Sequence, residues 1–253
     1  KQYGIDGAYE MEAVEPKDLA RFLGSLAARG YAGANVTLPH KEAALRLSAV
    51  ADEAARAIGA ANTLWLDRTG RLCAGNTDAY GFMTNLEAEA PDWNRGRRPV
   101  MVLGAGGAAR AILHGLLGEG AARILLANRT RNRAEALAQG FGPSVHVVDW
   151  EDRHRALAGC GLLVNATSLG MTGKEPLDID LKALPVDAVV ADIVYGPLET
   201  ELLAAARARG NRVVDGLGML LHQAVPGFER WFGVRPEVTP ALKAHVAAAL
   251  GDT

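Results

Sequence analysis

The second half of the chain alternates short β-branched or Leu-rich runs with helical stretches. The runs cover residues 100–103, 124–126, 145–148, 162–164, 188–191 and 213–214. Apolar runs without polar alternation, bounded by helices, predict parallel strands covered on both faces. The fold class is therefore α/β, with a doubly wound parallel sheet. Before residue 91 the texture is mixed. Residues 34–36 read as a strand, and Pro39 as the first residue of a helix running to Leu47, a position that needs no N–H. A second helix is expected over 52–57, a hairpin over 63–67 and 72–74 turning at Thr69-Gly70, and a helix over 79–89 behind Asp78. Helical stretches at 220–230 and 240–250 close the chain. Residues 91–99, rich in turn formers and charge, read as a linker.

Composition narrows the classes. With 253 residues, 49% apolar and 22% charged, the chain can bury a sizeable core, which excludes disorder. Its 27 basic and 29 acidic residues are scattered, so no concentrated positive field points to nucleic acid. No apolar run approaches the roughly 20 residues that cross a bilayer, and no membrane partner is expected. Two distant cysteines, Cys73 and Cys160, without a basic-then-apolar leader, suggest the cytoplasm. Asn35, Asn128 and Asn165 each open an Asn-x-Thr tripeptide; without a secretory leader these read as loop residues rather than glycosylation sites.

Gly104-Ala105-Gly106-Gly107-Ala108-Ala109 follows a predicted strand directly and opens a predicted helix. The spacing fits G-x-G-x-x-A, a dinucleotide fingerprint. Gly104 permits the tight turn, Gly106 removes the Cβ that would strike a pyrophosphate, and Ala109 allows close helix–strand packing. The helix N-terminus then faces the phosphates. A purely structural turn is the alternative. At the end of the next strand, Asn128-Arg129-Thr130-Arg131-Asn132-Arg133 offers no carboxylate for a ribose 2′-hydroxyl, while the guanidinium forks of Arg129 and Arg133 suit a 2′-phosphate. The expected cofactor is NADP(H) rather than NAD, with a solvated basic turn as the alternative. Loops 165–171 and 192–195 leave strand ends where a ligand crevice belongs, although turn chemistry and helix capping explain their polar residues equally well.

A hydride enzyme also needs a proton donor and acceptor. Lys41 lies near a strand-to-helix junction, and Asp78 ends a polar loop that starts a helix. An ammonium can protonate an oxyanion as it forms, and a carboxylate can orient that ammonium. Solvation of the lysine and N-capping by the aspartate are the alternatives. No histidine has metal-ligand spacing, so no metal is implied. Ser168 lacks a G-x-S-x-G context, which argues against a serine hydrolase.

Taken together and in order, residues 35–41, 59–63, 75–78, the Gly104 loop, 128–130, 165–168 and 215–220 resemble the shikimate dehydrogenase family over almost the whole chain. The resemblance implies NADP-dependent reduction of 3-dehydroshikimate to shikimate in aromatic amino-acid (chorismate) biosynthesis. By this likeness Lys41 is the catalytic lysine and Asp78 its paired carboxylate, both also contacting substrate. Thr37, Asn62, Tyr195 and Gln223 are the other expected substrate ligands. The cofactor is expected at Gly104, Ala105, Gly106, Gly107, Ala108, Asn128, Arg129, Thr130, Arg133, Thr167, Ile193 and Gly216. The implied architecture is a Rossmann-like NADP domain, 98–216, inserted into a smaller α/β substrate domain, 1–97 and 217–253, with a cleft between them. The small-molecule substrate is the expected partner, with a homodimer as the candidate assembly.

Family members open with a strand and a Ser-x-Ser loop that grips the substrate carboxylate, and this sequence is expected to start after both. Two other readings stay open. One is a quinate/shikimate dehydrogenase, which often uses NAD; the arginines after Asn128 argue against it. The other is a non-catalytic NADPH-binding module, disfavoured by Lys41 and Asp78.

Overall fold

A computed structural model describes residues 3–37 and 39–251. They fall into two compact units: the described residues up to Thr77 together with Gln223–Glu237, and Asp78–His222 together with the described residues from Val238 onward.

The first unit contains α1 (Leu19–Gly24), β1 (Gly33–Asn35), α2 (Lys41–Leu47), β2 (Val50–Ala51), α3 (Glu53–Ile58), β3 (Thr63–Leu66) and β4 (Leu72–Gly75). Its sheet runs β1-β3-β4-β2, with β3 antiparallel to both β1 and β4, and β2 parallel to β4. Leu19, Leu23, Leu26, Ala44 and Leu64 fill the core beneath it. Local chemistry sets the element limits. Asp52 caps α3 by accepting from the Ala55 N–H at 2.7 Å, and Gly59 ends it at φ 74°. In the hairpin turn Asp67 accepts from the N–H groups of Thr69 and Arg71 at 2.8 and 3.0 Å.

Two expectations change here. The helix expected from Pro39 starts at Lys41, because the His40 N–H bonds the Thr37 carbonyl at 3.0 Å and closes a turn first. Neither the two-residue β2, too short to display a period, nor α1 was foreseen.

The second unit holds α4 (Asp78–Glu89), β5 (Val100–Leu103), α5 (Gly107–Gly118), β6 (Ile124–Ala127), α6 (Arg131–Gln139), β7 (Val145–Val148), β8 (Leu162–Asn165), β9 (Val189–Asp192), α7 (Glu201–Arg209) and β10 (Arg212–Val214). Then α8 (Gly216–Phe232) contributes residues to both units, and α9 (Pro240–Gly251) belongs to the second. The six strands are all parallel, in the order β10-β9-β8-β5-β6-β7, so the order reverses between β5 and β8. Each expected run is a strand, to within a residue. The apolar character of the four central strands, β5, β6, β8 and β9, follows from double coverage: in β5, Val100 and Val102 enter one core cluster, while Met101 and Leu103 enter the other.

The expected linker is part of this unit. Trp93, 7% exposed, packs into the same cluster as Val100, and Arg98 pairs with Asp187 at 2.9 Å. One buried indole outweighs the turn-forming composition around it. Among the described residues, no helix is long and apolar enough to cross a membrane.

Gly218 marks a tight approach. A Cβ there would lie 1.7 Å from Asn85 Oδ1, and the Asn85 amide donates to the Asp215 carbonyl at 2.8 Å. Gly218→Ala is expected to lower stability by about 1–3 kcal/mol through overpacking, measured by urea unfolding. Combined with Asn85→Ala it should cost less than the sum of the two single losses, because the clash partner is gone; strict additivity would contradict the contact.

Candidate functional site

In the first unit, three of the expected substrate ligands lie on loop or helix starts. Thr37 is exposed just after β1, and half-buried Lys41 opens α2, its carbonyl accepting from the Ala61 N–H at 2.9 Å. That bond ties the Lys41 turn to the segment carrying Asn62. The Asn62 side chain is 3% exposed and acts as a bracket. Its Oδ1 accepts from the Thr77 N–H at 2.9 Å, and its amide donates to Gln223 Oε1 at 3.2 Å. Thr77 Oγ1 in turn donates to the Gln223 carbonyl at 2.7 Å. Asn62 and Gln223 are thus brought together, with Thr77, to which the sequence assigned no role, as their link. A cavity of about 160 Å³ opens beside Thr37 and is also lined by Tyr9, Asn35 and His40.

In the second unit, the glycine loop leaves β5 at the point where the strand order reverses. Gly104 has φ 105°, and a Cβ on it would approach the Ala166 carbonyl to 2.9 Å, so the turn demands glycine. Gly106 stands at the N-cap of α5 without a side-chain cap, and open space surrounds the positions where Cβ atoms of Gly106 and Gly107 would be. The first N–H groups of α5 therefore face room for an anion. Asn128 steadies this loop from the next strand end: its Oδ1 accepts from the Ala105 N–H at 3.2 Å and its amide donates to the Thr130 carbonyl at 2.8 Å.

The basic segment divides its labour. Arg131 is spent on Glu135 and Asp149. Arg129 pairs with Glu175 at 3.2 Å, both side chains mostly exposed, a kind of pair worth about 0–1 kcal/mol. Arg133 is exposed and has no ion pair among the described residues.

Thr167, Ile193 and Gly216 gather at the ends of neighbouring strands. A Cβ on Gly216 would lie 2.4 Å from the Ile193 carbonyl oxygen, and the Ile193 N–H bonds the Asn165 carbonyl at 3.1 Å. Tyr195 is 37% exposed in the loop after β9. Asp78, nearly buried, is the first residue of α4. Two residues without an individual role in the sequence reading stand behind these loops: Asn165 and Asp192, both buried, joined at 3.0 Å. Their signal in the sequence is a polar residue ending an otherwise apolar strand.

A doubly wound parallel sheet with a glycine loop at its order reversal and an uncapped helix beyond it defines a dinucleotide-binding protein. Comparison with known proteins narrows this. Three family models match: the shikimate dehydrogenase substrate binding domain over residues 1–64, the shikimate / quinate 5-dehydrogenase over 88–172, and the shikimate 5′-dehydrogenase C-terminal domain over 216–244. The chain is 58% identical over 250 residues to the shikimate dehydrogenase (NADP(+)) of Rhodopseudomonas palustris, covering 99% of this chain and 89% of that protein. Among solved structures it resembles shikimate 5-dehydrogenase from Thermus thermophilus in complex with NADP(H) and shikimate (TM-score 0.85, 35% identity, 98% of this chain and 90% of that one). It also resembles quinate dehydrogenase from Corynebacterium glutamicum in complex with NAD (TM-score 0.85, 33% identity, 96% and 86%). The chain belongs to the shikimate dehydrogenase family.

The Asn128 bracket is directly testable. Asn128→Ala leaves the Ala105 N–H without its acceptor, and a lost neutral hydrogen bond of about 1 kcal/mol should quicken its amide exchange about five-fold while core amides of β5 keep their protection. Unchanged exchange at Ala105 would refute the bracket.

Proposed function

We infer that the protein is an NADP-dependent oxidoreductase acting on a CH–OH group, a shikimate dehydrogenase that reversibly reduces 3-dehydroshikimate to shikimate in chorismate and aromatic amino-acid biosynthesis. The observation that carries this reading is the glycine loop at the order reversal, opening onto an uncapped α5, in a chain of this family. The residues present fit the cofactor: open space at Gly106 and Gly107 for a pyrophosphate, and the guanidinium groups of Arg129 and Arg133 for a 2′-phosphate. When bound, NADP(H) supplies or takes up the hydride.

The chain's own residues bind, orient and move the proton. The loop Gly104, Ala105, Gly106, Gly107 and Ala108 presents backbone N–H groups, with Asn128 and Thr130 supporting the turn beside it. Arg129 exchanges Glu175 for phosphate, a trade made easy by the weakness of an exposed pair. Thr167, Ile193 and Gly216 line the nicotinamide end. Lys41 donates the proton to the oxygen that forms as the ketone is reduced, and Asp78 orients the ammonium; both also hold substrate hydroxyls, with Thr37, Asn62, Tyr195 and Gln223 completing the grip. By role, residues 1–97 and 217–253 form the substrate part and 98–216 the NADP part, so α4 and α9 serve the substrate side although they pack with the second compact unit. A homodimer in the cytoplasm is the setting we assign, and sedimentation of the protein measures the first of these.

A quinate/shikimate dehydrogenase is the second reading, favoured by the likeness to the Corynebacterium enzyme; Arg129 and Arg133 weigh against it. Arg129→Asp is expected to raise the KM for NADPH about ten-fold or more and to leave that for NADH within about two-fold. Equal effects on the two nucleotides would defeat the 2′-phosphate assignment. Lys41→Ala and Asp78→Asn should each lower kcat about 100-fold or more in a chain that still unfolds cooperatively; a loss of only a few-fold would remove that residue from the proton-transfer pair.

A further inference from the structure

Asn165 and Asp192 end the adjacent strands β8 and β9 in register with one another, and both side chains are buried. Asn165 reaches forward along its own loop: its Oδ1 accepts from the Thr167 N–H at 3.1 Å and from the Thr167 hydroxyl at 2.7 Å, and its amide donates to the Leu169 carbonyl at 3.2 Å. The second proton of that amide goes to Asp192 Oδ1 at 3.0 Å. The same oxygen accepts from the Val194 N–H at 3.0 Å, and Oδ2 accepts from the Thr200 hydroxyl at 2.8 Å. Thr200 is also the N-cap of α7. One carboxylate therefore gathers donors from the loop after β8, the loop after β9 and the start of α7.

We propose that Asp192 is a positioning residue for the dehydrogenase reaction: by receiving Asn165, Val194 and Thr200 together, its carboxylate holds Thr167, Ile193 and Tyr195 in one arrangement, ready for the nicotinamide end of the cofactor. The proposal rests on the dehydrogenase reading and deepens it. An acceptor-only group suits the place, because every neighbour that meets it arrives as a donor. An ionised acceptor holds such donors about twice as strongly as a neutral one.

The charge state is open to pH. Burial pushes the Asp192 carboxyl up to about 6, against the lowering effect of its three donors. Among the described residues no other charged side chain contributes to that shift. From β8 and α7 it meets only the neutral Asn165 and Thr200, and Asp215, just past β10, is engaged by Lys243 at 3.1 Å. With the folded value raised above the ordinary one, protonation favours the folded chain as pH falls, while the grip on the loops slackens. Stability and cofactor affinity should therefore move in opposite directions through pH 6.

The test is NADPH binding by fluorescence titration to the wild-type chain and Asp192→Asn, between about pH 7.5 and about pH 5. The 2′-phosphate titrates in the same range in both proteins, so the readout is the ratio of their Kd values. The ratio is expected to be about five-fold at the higher pH and to fall toward about one at the lower, where wild type also carries a neutral group. A ratio that stays constant, or is near one throughout, overturns the proposal. If Asp192→Asn does not fold, Thr200→Ala decides. Losing one donor moves the midpoint of the wild-type profile to higher pH, and an unmoved midpoint is the contrary result. A wild-type chain that binds no NADPH and turns over no shikimate refutes the dehydrogenase reading and the proposal with it; binding and turnover with a constant ratio refute the proposal alone.

Discussion

The carboxyl edge of a parallel sheet is where its ladder ends, and the backbone groups that leave it need other partners. In this protein a set of side-chain amides supplies them. Asn128 holds the glycine loop, Asn165 holds the loop after β8, and Asn62 holds Thr77 and Gln223 in the other unit. Each amide accepts with its oxygen and donates with its nitrogen, so it can join two segments that have no backbone ladder between them. Asn62 and Asn165 are buried, and buried groups of this kind are costly when unpaired, at about 1–3 kcal/mol each; Asn128 is half-buried.

Around the brackets the charges are distributed for exchange rather than for stability. The N-terminus of α5 has no side-chain cap, and Arg129 is held by an exposed carboxylate that an incoming phosphate can replace. Arg131, two residues on, is committed to Glu135 and Asp149 and helps to fasten α6. A basic run that looks uniform in sequence therefore contains one structural arginine between two available ones. Asp192 lies behind this surface, where burial rather than a neighbouring charge sets its titration.

Much of this was legible in the sequence. The doubly wound sheet followed from six β-branched or Leu-rich runs, because central strands buried on both faces need no alternation, and Val100 through Leu103 divide between two cores as that pattern implies. The glycine loop was legible because its chemistry is local: one strand end, one turn, one helix start. What stayed hidden depends on tertiary partners. Residues 91–99 read as a linker because turn formers dominate locally, whereas a single indole, Trp93, decides where they pack. Pro39 favoured a helix start that a His40-to-Thr37 turn delays. The roles of Thr77 and Glu175 exist only through residues far away in the chain, and no local spacing announces them.

One assay reaches directly the activity of a dehydrogenase that takes NADP(H) and a shikimate-type ring. The purified chain is mixed with 3-dehydroshikimate and NADPH, and the absorbance of the reduced nicotinamide is followed, with shikimate plus NADP and quinate plus NAD run in parallel. The expected result is rapid oxidation of NADPH by 3-dehydroshikimate, reversed by shikimate with NADP. Faster turnover of quinate with NAD, or no turnover of any pair by a folded chain that binds NADPH, would contradict it.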